Sequence, residues 1–445
     1  MNRRNNIIVL PGLLLYYLYF AIPAIGAKWA TDDPMNIRTY WNRGFWRCVG
    51  DLVNFWGGGY RPVGALFYLP LFRFFHLNPV PYRIAILTCV AATTYLLFRL
   101  VLELTNSSAV AAIAAAVSIA HPEVMVANYY NTSFLYDDFA ALFTAATLFA
   151  YLRWRQEMTA SRIAIVVILY LAAINSKESA VVAAAWIVGY ELIVGRPRQY
   201  TVPAILCGIT LLYLSGRVFG PHSLSQVPGY GLEITPARFA ANTLIYLNDL
   251  FFHTTFFRST SRLVIFWIAI AALCALFRRR SVWWACLAAF ASTLPVAFTT
   301  TPRGGASLYV ASLAWILFAA TIFAAVPIRP NVRWAAAVVL GCVLTYSVLP
   351  SWRDQVPAYL EDHRVTWSVI SQLQSLHPKP APHSRVLFVN DPFDNWDMAL
   401  IANLYFDDHT MEIDLSKKLD HPPDLASYDW VLAFEDGKLR TVRTP

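Results

Sequence analysis

Residues 6–34 read NIIVLPGLLLYYLYFAIPAIGAKWATDDP, an apolar run that ends a few residues before two adjacent aspartates, Asp32 and Asp33. A helix that crosses a bilayer needs about 20 apolar residues, and the segment 6–26 meets that requirement. The aspartate pair therefore falls in a polar loop that begins at Ala27, just outside the predicted first span. This position predicts an acidic site at the surface of a membrane.

The composition agrees with a membrane protein. Of the 445 residues, 57% are hydrophobic and 14% are charged, whereas soluble domains carry roughly 25% charged residues. Residues 1–352 contain 26 basic and 12 acidic side chains, and residues 353–445 contain 9 basic and 15 acidic ones. We therefore expect a membrane domain over 1–352, with its first outer loop at 27–81, and a small soluble domain over 353–445.

The apolar segments predict the topology. Eleven of them are candidate transmembrane helices: 6–26, 82–103, 108–121, 136–153, 161–176, 178–195, 200–216, 262–277, 281–299, 304–326 and 333–350. The run 62–76 is short and bounded by Arg61 and Arg73, so we expect it to lie along the membrane surface. The arginines of the short loops then share one side, and the positive-inside rule places the N-terminus in the cytoplasm and the C-terminal domain outside.

The predicted fold class is an all-α polytopic membrane protein of about eleven transmembrane helices with a small C-terminal α/β domain. In that domain, 385–389 and 430–434 are rich in β-branched and aromatic residues and predict strands, and 396–406 predicts a helix. The arginines of the membrane domain lie between hydrophobic runs, which favours lipid phosphates over nucleic acid as the anionic partner. The six cysteines show no CxxC pair and indicate neither a disulfide framework nor a metal site.

Several charged residues share the predicted outer face. Two acidic pairs, Asp32-Asp33 and Asp137-Asp138, lie there, and the same side receives His121, Glu123, Lys177, Glu178 and Arg303. Polar groups at membrane depth are costly and are usually functional. Their convergence at one end of a helix bundle predicts a site.

Simpler explanations apply to each of these residues. The two aspartate pairs open helical patterns, where acids cap the N-terminus and interact favourably with the helix dipole. His121-Pro122 can end a span. Arg61 and Arg303 can anchor the protein in lipid headgroups.

The order of these motifs resembles the GT-C superfamily of polytopic glycosyltransferases, in particular bacterial relatives of the protein O-mannosyltransferases and of the aminoarabinose transferases of lipid A. The residues that carry the resemblance are Asp32-Asp33, Arg61-Pro62, Asn78-Pro79 with Tyr82-Arg83, Pro122-Glu123, Asp138, Lys177-Glu178, and Arg303 with Tyr309. The sequence departs from the family at Asp33, where many members have Glu. No Gly follows Lys177, and the acidic tail has no counterpart that we can name.

The resemblance implies transfer of a sugar from a polyprenyl-phosphate-linked donor to a lipid, glycan or protein acceptor at the outer face, with inversion. It assigns the general base to Asp32, with Asp33 beside it, and the binding of the phosphate to Arg61, Lys177 and Arg303. Asp137, Asp138, Glu178 and Tyr309 are the further candidates for substrate binding. A divalent cation is the one cofactor considered, with His121 and Glu123 as weak candidate ligands. The expected location is a bacterial inner membrane.

Two other classes of protein remain open at this stage. A transporter or lipid flippase would also be polytopic, and it would be expected to show broken helices or inverted repeats. A non-catalytic scaffold would use its acidic tail to bind a partner. Release of polyprenyl phosphate in an assay with donor and acceptor separates a transferase from both.

Overall fold

Backbone groups in lipid must find their hydrogen-bond partners within the chain, and the apolar segments of this protein accordingly form helices. A computed structural model describes residues 3–221, 223, 231–254 and 256–444. The first group of helices is α1 (Arg3–Ile25), α2 (Asp32–Arg43), α3 (Phe45–Gly50), α4 (Val63–Phe75), α5 (Pro79–Thr105), α6 (Ser108–Ala120), α7 (Pro122–Tyr130) and α8 (Leu135–Gln156). The second group is α9 (Ala160–Ser176), α10 (Val182–Ile193), α11 (Thr201–Phe219), α12 (Pro236–Leu250), α13 (Thr260–Phe277), α14 (Arg280–Ser292), α15 (Tyr309–Ala325) and α16 (Pro330–Leu376).

Within the described residues, six helices are long and apolar enough to cross a membrane, and the pair α6–α7, bent by 61°, can add a seventh. The six are α5, α8, α11, α13, α15 and α16, with α8 and α15 counted together with the short 3₁₀ turns that precede them. Each of the eleven predicted segments contains a helix, although several of these helices are shorter than a bilayer requires. The protein is therefore an integral membrane protein, and the number of eleven spans stays a prediction.

Local sequence fixes where several helices begin. Asn78 caps α5 by accepting a hydrogen bond from the Val80 backbone N–H at 3.2 Å, and Pro79 occupies the first helical position. Proline is favoured there because the N–H that it lacks would have no partner inside the helix. Pro122 opens α7 in the same way, and it follows the break at His121.

The C-terminal domain contains a four-stranded sheet and one helix. The strands are β1 (Arg385–Val389), β2 (Glu412–Leu415), β3 (Trp430–Glu435) and β4 (Lys438–Arg443), and the helix is α17 (Asp397–Phe406). The strand order is β2-β1-β3-β4, with β1 parallel to both neighbours and β3 antiparallel to β4. The two predicted strands and the predicted helix are confirmed. The helix α16 continues through the domain boundary expected at 352/353, and that boundary stays a prediction.

The C-terminal domain is packed against the membrane domain. Trp41 of α2 donates to Asp407 Oδ1 at 2.7 Å, and its ring stacks on His409 with 3.4 Å between the centroids. Arg38 Nε donates to Asn403 Oδ1 over 3.3 Å. These contacts hold α17 along α2.

Candidate active site

The predicted site residues gather at one end of the bundle, which we call the polar end. It is formed by the N-termini of α2 and α8, the C-terminus of α9 and residues 303–308. The opposite end carries arginines: Arg155 binds Glu191 at 2.6 Å, and Arg153 lies 3.5 Å from Glu103. The acidic groups and their buried cations therefore lie at one end of these helices, and the clustered arginines lie at the other end.

Asp33 is fully buried and is paired with an arginine of α5. Its Oδ2 accepts a hydrogen bond from the Ala30 N–H at 2.9 Å and lies 3.7 Å from Nη2 of Arg83, which is also fully buried. Arg83 Nη2 donates to the Lys28 carbonyl at 2.6 Å. Burial, only partly offset by the charge of Arg83, raises the pKa of Asp33 to about 6. Asp33 thus ties the first loop to α5.

Asp32 differs from its neighbour in exposure. Its side chain is exposed, and the structure shows no hydrogen bond or ion pair to it from any described residue. Three carboxylates, those of Asp33, Asp362 of α16 and Asp397 of α17, lie close enough to feel its charge. Of the two adjacent aspartates, Asp32 is therefore the one whose side chain solvent can reach.

Arg61 occupies a buried position between α2 and α8. Its Nη2 lies 3.0 Å from Glu178 Oε2, and its guanidinium lies over the ring of Tyr136 at 5.1 Å. The Tyr40 hydroxyl donates to the Arg61 carbonyl at 2.7 Å, and the backbone of Arg61 has a φ of 50°. A non-glycine residue in this left-handed region is uncommon and is held by its surroundings. Arg61 is therefore a fixed, ion-paired cation and not a loose headgroup anchor.

Lys177 forms a second buried ion pair beside the first. Its Nζ binds the carboxylate of Asp137 and donates to Ser307 Oγ at 3.1 Å. Only 12% of the Lys177 side chain and 5% of that of Asp137 are exposed. Since Asp137 follows Tyr136 and Glu178 follows Lys177 in the chain, the two ion pairs are adjacent.

Arg303 lies at the start of the segment that leads to Ser307. Its backbone N–H donates to the Tyr246 hydroxyl at 3.1 Å, and the Gly305 N–H donates to Asp249 Oδ2 at 2.9 Å. These two contacts from α12 fix the segment beside Lys177. The predicted residues Arg61, Asp137, Lys177, Glu178 and Arg303 are thus brought to the polar end together.

The two metal-ligand candidates have other partners. His121 Nε2 lies 3.1 Å from the Leu250 carbonyl oxygen. Glu123 binds His253 Nε2 at 2.7 Å and accepts from Gln355 Nε2 at 2.6 Å. Over the described part of the chain, no three His, Cys, Asp or Glu side chains are arranged to hold a metal ion. His121 and Glu123 do not fit a metal site, and a requirement for a divalent cation stays a prediction.

Asp138 and Tyr309 form a further pair of buried predicted residues. Both are fully buried within the bundle, and they are close enough to interact electrostatically. Neither oxygen of the Asp138 carboxylate has a hydrogen-bond partner among the described residues. Their predicted role in substrate binding stays a prediction.

An apolar cavity of about 480 Å³ opens beside the polar end between α6, α12, α13, α15 and α16. Its walls include Ile270, Trp315 and Leu344, and His121 lies on its polar side, where it stacks on Phe252 at 4.6 Å. Aliphatic and aromatic walls suit a hydrocarbon chain.

Sequence reasoning missed several residues of this end. Tyr136 and Ser307 carry no motif of their own, although Tyr136 directly precedes the predicted Asp137. Arg217 of α11 lies over the rings of Tyr60 at 5.7 Å and Tyr213 at 5.3 Å. It directly follows the predicted span 200–216 and belongs to none of the motifs.

Known proteins resemble this chain in fold more than in sequence. No family model and no curated protein matches it. Among solved structures, the fold is similar to the crystal structure of ArnT from Cupriavidus metallidurans bound to undecaprenyl phosphate. The TM-score is 0.55 at 13% sequence identity, and the match covers 98% of this chain and 94% of that one. The chain therefore shares the overall fold of that structure.

Proposed function

We propose that the protein transfers a sugar from a polyprenyl-phosphate-linked donor to an acceptor hydroxyl at the outer face of the membrane, with inversion. The observation that carries the proposal is the exposed carboxylate of Asp32 at a polar end that also holds buried cations, in the fold of a protein solved with undecaprenyl phosphate. An attacking hydroxyl needs a carboxylate to take its proton, and a phosphate leaving group needs cations to stabilise its growing charge.

The donor would bind across the polar end and the apolar cavity. Its prenyl chain suits the 480 Å³ cavity, and its phosphate suits Arg61, Lys177 and Arg303. The carboxylates of Glu178 and Asp137 pair with the first two cations and hold them in position. Arginine grips phosphate through two parallel hydrogen bonds, and fixed charges of this kind stabilise the growing charge of a leaving group.

Asp32 would act as the general base. The acceptor hydroxyl gives its proton to the carboxylate, its oxygen forms the bond to the anomeric carbon, and the electron pair of the breaking bond leaves with the phosphate. General base catalysis contributes about 10²–10⁴-fold. Asp33, buried against Arg83, would position the loop and would not take the proton of the acceptor hydroxyl.

The placement of charge supports the orientation. Arginines of α8 and α9 and the run Arg278–Arg280 lie away from the polar end, and the positive-inside rule assigns such clusters to the cytoplasm. The polar end and the C-terminal domain would then face outward, with eleven spans and a cytoplasmic N-terminus in a bacterial inner membrane. The acceptor is a lipid, a glycan or a protein.

The test is Asp32→Asn in the purified protein, assayed by release of polyprenyl phosphate from donor in the presence of an envelope extract as acceptor. We expect turnover to fall about 10²–10⁴-fold, with unchanged expression and thermal unfolding. The matched control is Asp354→Asn, an exposed acid of α16, which should keep wild-type turnover. Normal turnover in Asp32→Asn removes Asp32 from the mechanism. NMR of the product reports its anomeric configuration and so tests inversion. Adding a chelator to the assay tests whether turnover requires a divalent cation.

A further inference from the structure

A further cavity lies where the C-terminal domain meets the first outer loop, and we call it the junction cavity. Its volume is about 480 Å³, within the roughly 300–1,000 Å³ of typical ligand pockets. The end of α2 with the turn into α3, one face of α4 and the residues after α17 line it. It is distinct from the apolar cavity beside the polar end, because the two share no lining residue.

The helix α4 places the junction cavity at the level of lipid headgroups. The Tyr82 hydroxyl donates to the His76 carbonyl at 3.0 Å, which ties the end of α4 to the first turn of the membrane-spanning helix α5. Phe74 and Phe75 at the end of α4 are 77% and 44% exposed. Clustered apolar side chains with this exposure mark a membrane contact. Arg73, which lines the cavity one residue earlier, therefore lies near the membrane surface.

The junction cavity carries one charged side chain of each sign. Arg73 is exposed on α4, and no described residue forms an ion pair with it. Asp407 lines the cavity from the C-terminal domain, and its Oδ1 accepts a hydrogen bond from Trp41 Nε1 at 2.7 Å. Within the described ranges, its Oδ2 accepts no hydrogen bond. A ligand that fills this space therefore meets both a free guanidinium and a free carboxylate oxygen.

The carboxylate of Asp407 is held in place before any ligand arrives. Asp407 ends α17 with a φ of 50°, and its backbone N–H donates to the Asn403 carbonyl at 3.0 Å. Asn403 Oδ1 accepts from Arg38 Nε of α2 at 3.3 Å, and Trp41 stacks on His409. A group that is already fixed loses little conformational freedom when it binds a ligand.

We propose that the junction cavity binds the headgroup of a zwitterionic phospholipid that carries a primary ammonium, as phosphatidylethanolamine does. The phosphodiester pairs with Arg73, since arginine grips phosphate through two hydrogen bonds. The ammonium donates to Asp407. The acyl chains follow α4 into the bilayer along Leu69, which lines the cavity, and Leu66, which lies one turn earlier and is 41% exposed.

Charge complementarity separates this lipid from the other common ones. Phosphatidylglycerol would satisfy Arg73 but would leave Asp407 without a cation. The trimethylammonium of phosphatidylcholine has no N–H to donate to Asp407. The inference is independent of the transfer chemistry proposed for Asp32. A lipid held between α4 and Asp407 would fasten the C-terminal domain to the membrane surface.

The bound lipid can be measured by native mass spectrometry. The full-length protein in detergent receives an equimolar mixture of phosphatidylethanolamine, phosphatidylcholine and phosphatidylglycerol with identical acyl chains. We expect the wild type to retain phosphatidylethanolamine best. Arg73→Gln should weaken the binding of that lipid about tenfold, because it removes hydrogen bonds to a charged group. Asp407→Asn should abolish the preference for phosphatidylethanolamine over phosphatidylglycerol.

Both substitutions should leave the fold intact. Arg73 and Asp407 are exposed, and asparagine tolerates a left-handed backbone and can still accept the hydrogen bond from Trp41. The matched control is Arg47→Gln, an exposed arginine of α3 outside the cavity, which should retain the wild-type lipid pattern.

Two results would overturn the inference. One is a wild type that retains phosphatidylcholine or phosphatidylglycerol as strongly as phosphatidylethanolamine. The other is a wild-type lipid pattern in Arg73→Gln or in Asp407→Asn.

Discussion

Replacing Asp33 with Asn separates the structural role of this residue from the chemistry proposed for Asp32. Asp33 is fully buried, and its folded-state pKa is about 6, compared with 3.8 for an ordinary aspartate. Asparagine has a similar shape and can still accept the hydrogen bond from the Ala30 N–H. The variant therefore removes the titration while keeping the local contact.

The size of the effect follows from the two pKa values. Because the folded protein holds the Asp33 proton more tightly than the unfolded chain does, this group contributes stability that is present below about pH 4 and is lost by about pH 6. A difference of about 2 pKa units corresponds to about 3 kcal/mol. Asp33→Asn lacks this decline, because asparagine does not titrate.

The measurement is the thermal unfolding midpoint in detergent between about pH 4 and about pH 7, for the wild type and Asp33→Asn. We expect the wild type to lose stability relative to the variant across this range. The control Glu361→Gln, at an exposed acid that pairs with Arg364, should keep the wild-type slope. Parallel pH curves for the wild type and Asp33→Asn would show that Asp33 is not the group that titrates. Turnover should fall less than about tenfold, since Asp32 remains.

Three other variants probe the remaining ion pairs. Arg61→Gln should lower turnover by about 10²–10³-fold in the polyprenyl phosphate release assay, because a positioned donor contributes about 2.7–4 kcal/mol at a developing charge. Arg61→Lys should recover only part of this loss, because lysine lacks the bidentate grip. Lys177→Met should likewise reduce turnover while leaving acceptor binding intact, as measured by NMR titration; a selective loss of acceptor binding would contradict this assignment. Glu191→Gln should lower the unfolding midpoint without changing kcat, because it breaks a buried pair with Arg155 at the arginine end, which costs about 3–5 kcal/mol.

Much of the helical architecture could be predicted from the sequence. The signals that place the helices act locally: membrane-length apolar runs, Asn78-Pro79 and the break at His121-Pro122. In lipid the backbone forms its hydrogen bonds within the helix, and proline at the first helical position needs no partner for the N–H that it lacks, so neither effect depends on distant residues. The strand 385–389 was recognisable for the same reason, since its residue types favour an extended backbone and are completely buried at its centre.

The pairing of charges could not be predicted in this way. The sequence treats Asp32 and Asp33 alike, yet the direction of each side chain on α2 buries one against Arg83 and exposes the other. Arg61 and Glu178 are 117 residues apart in the chain, and their ion pair depends on how α2, α8 and α9 pack together. The approach of Asp397 to Asp32 is even harder to predict from the sequence, because it arises only when the C-terminal domain packs on α2.

The length of α16 has a mechanical consequence. Its 47 residues span about 70 Å, more than twice the roughly 30 Å thickness of a bilayer core. A single helix of this length behaves as a lever, so tilting its apolar half in a thicker or thinner membrane displaces its polar half, which carries Asp362 and leads into the sheet. We therefore expect bilayer thickness to influence where Asp362 and the sheet lie relative to the membrane surface.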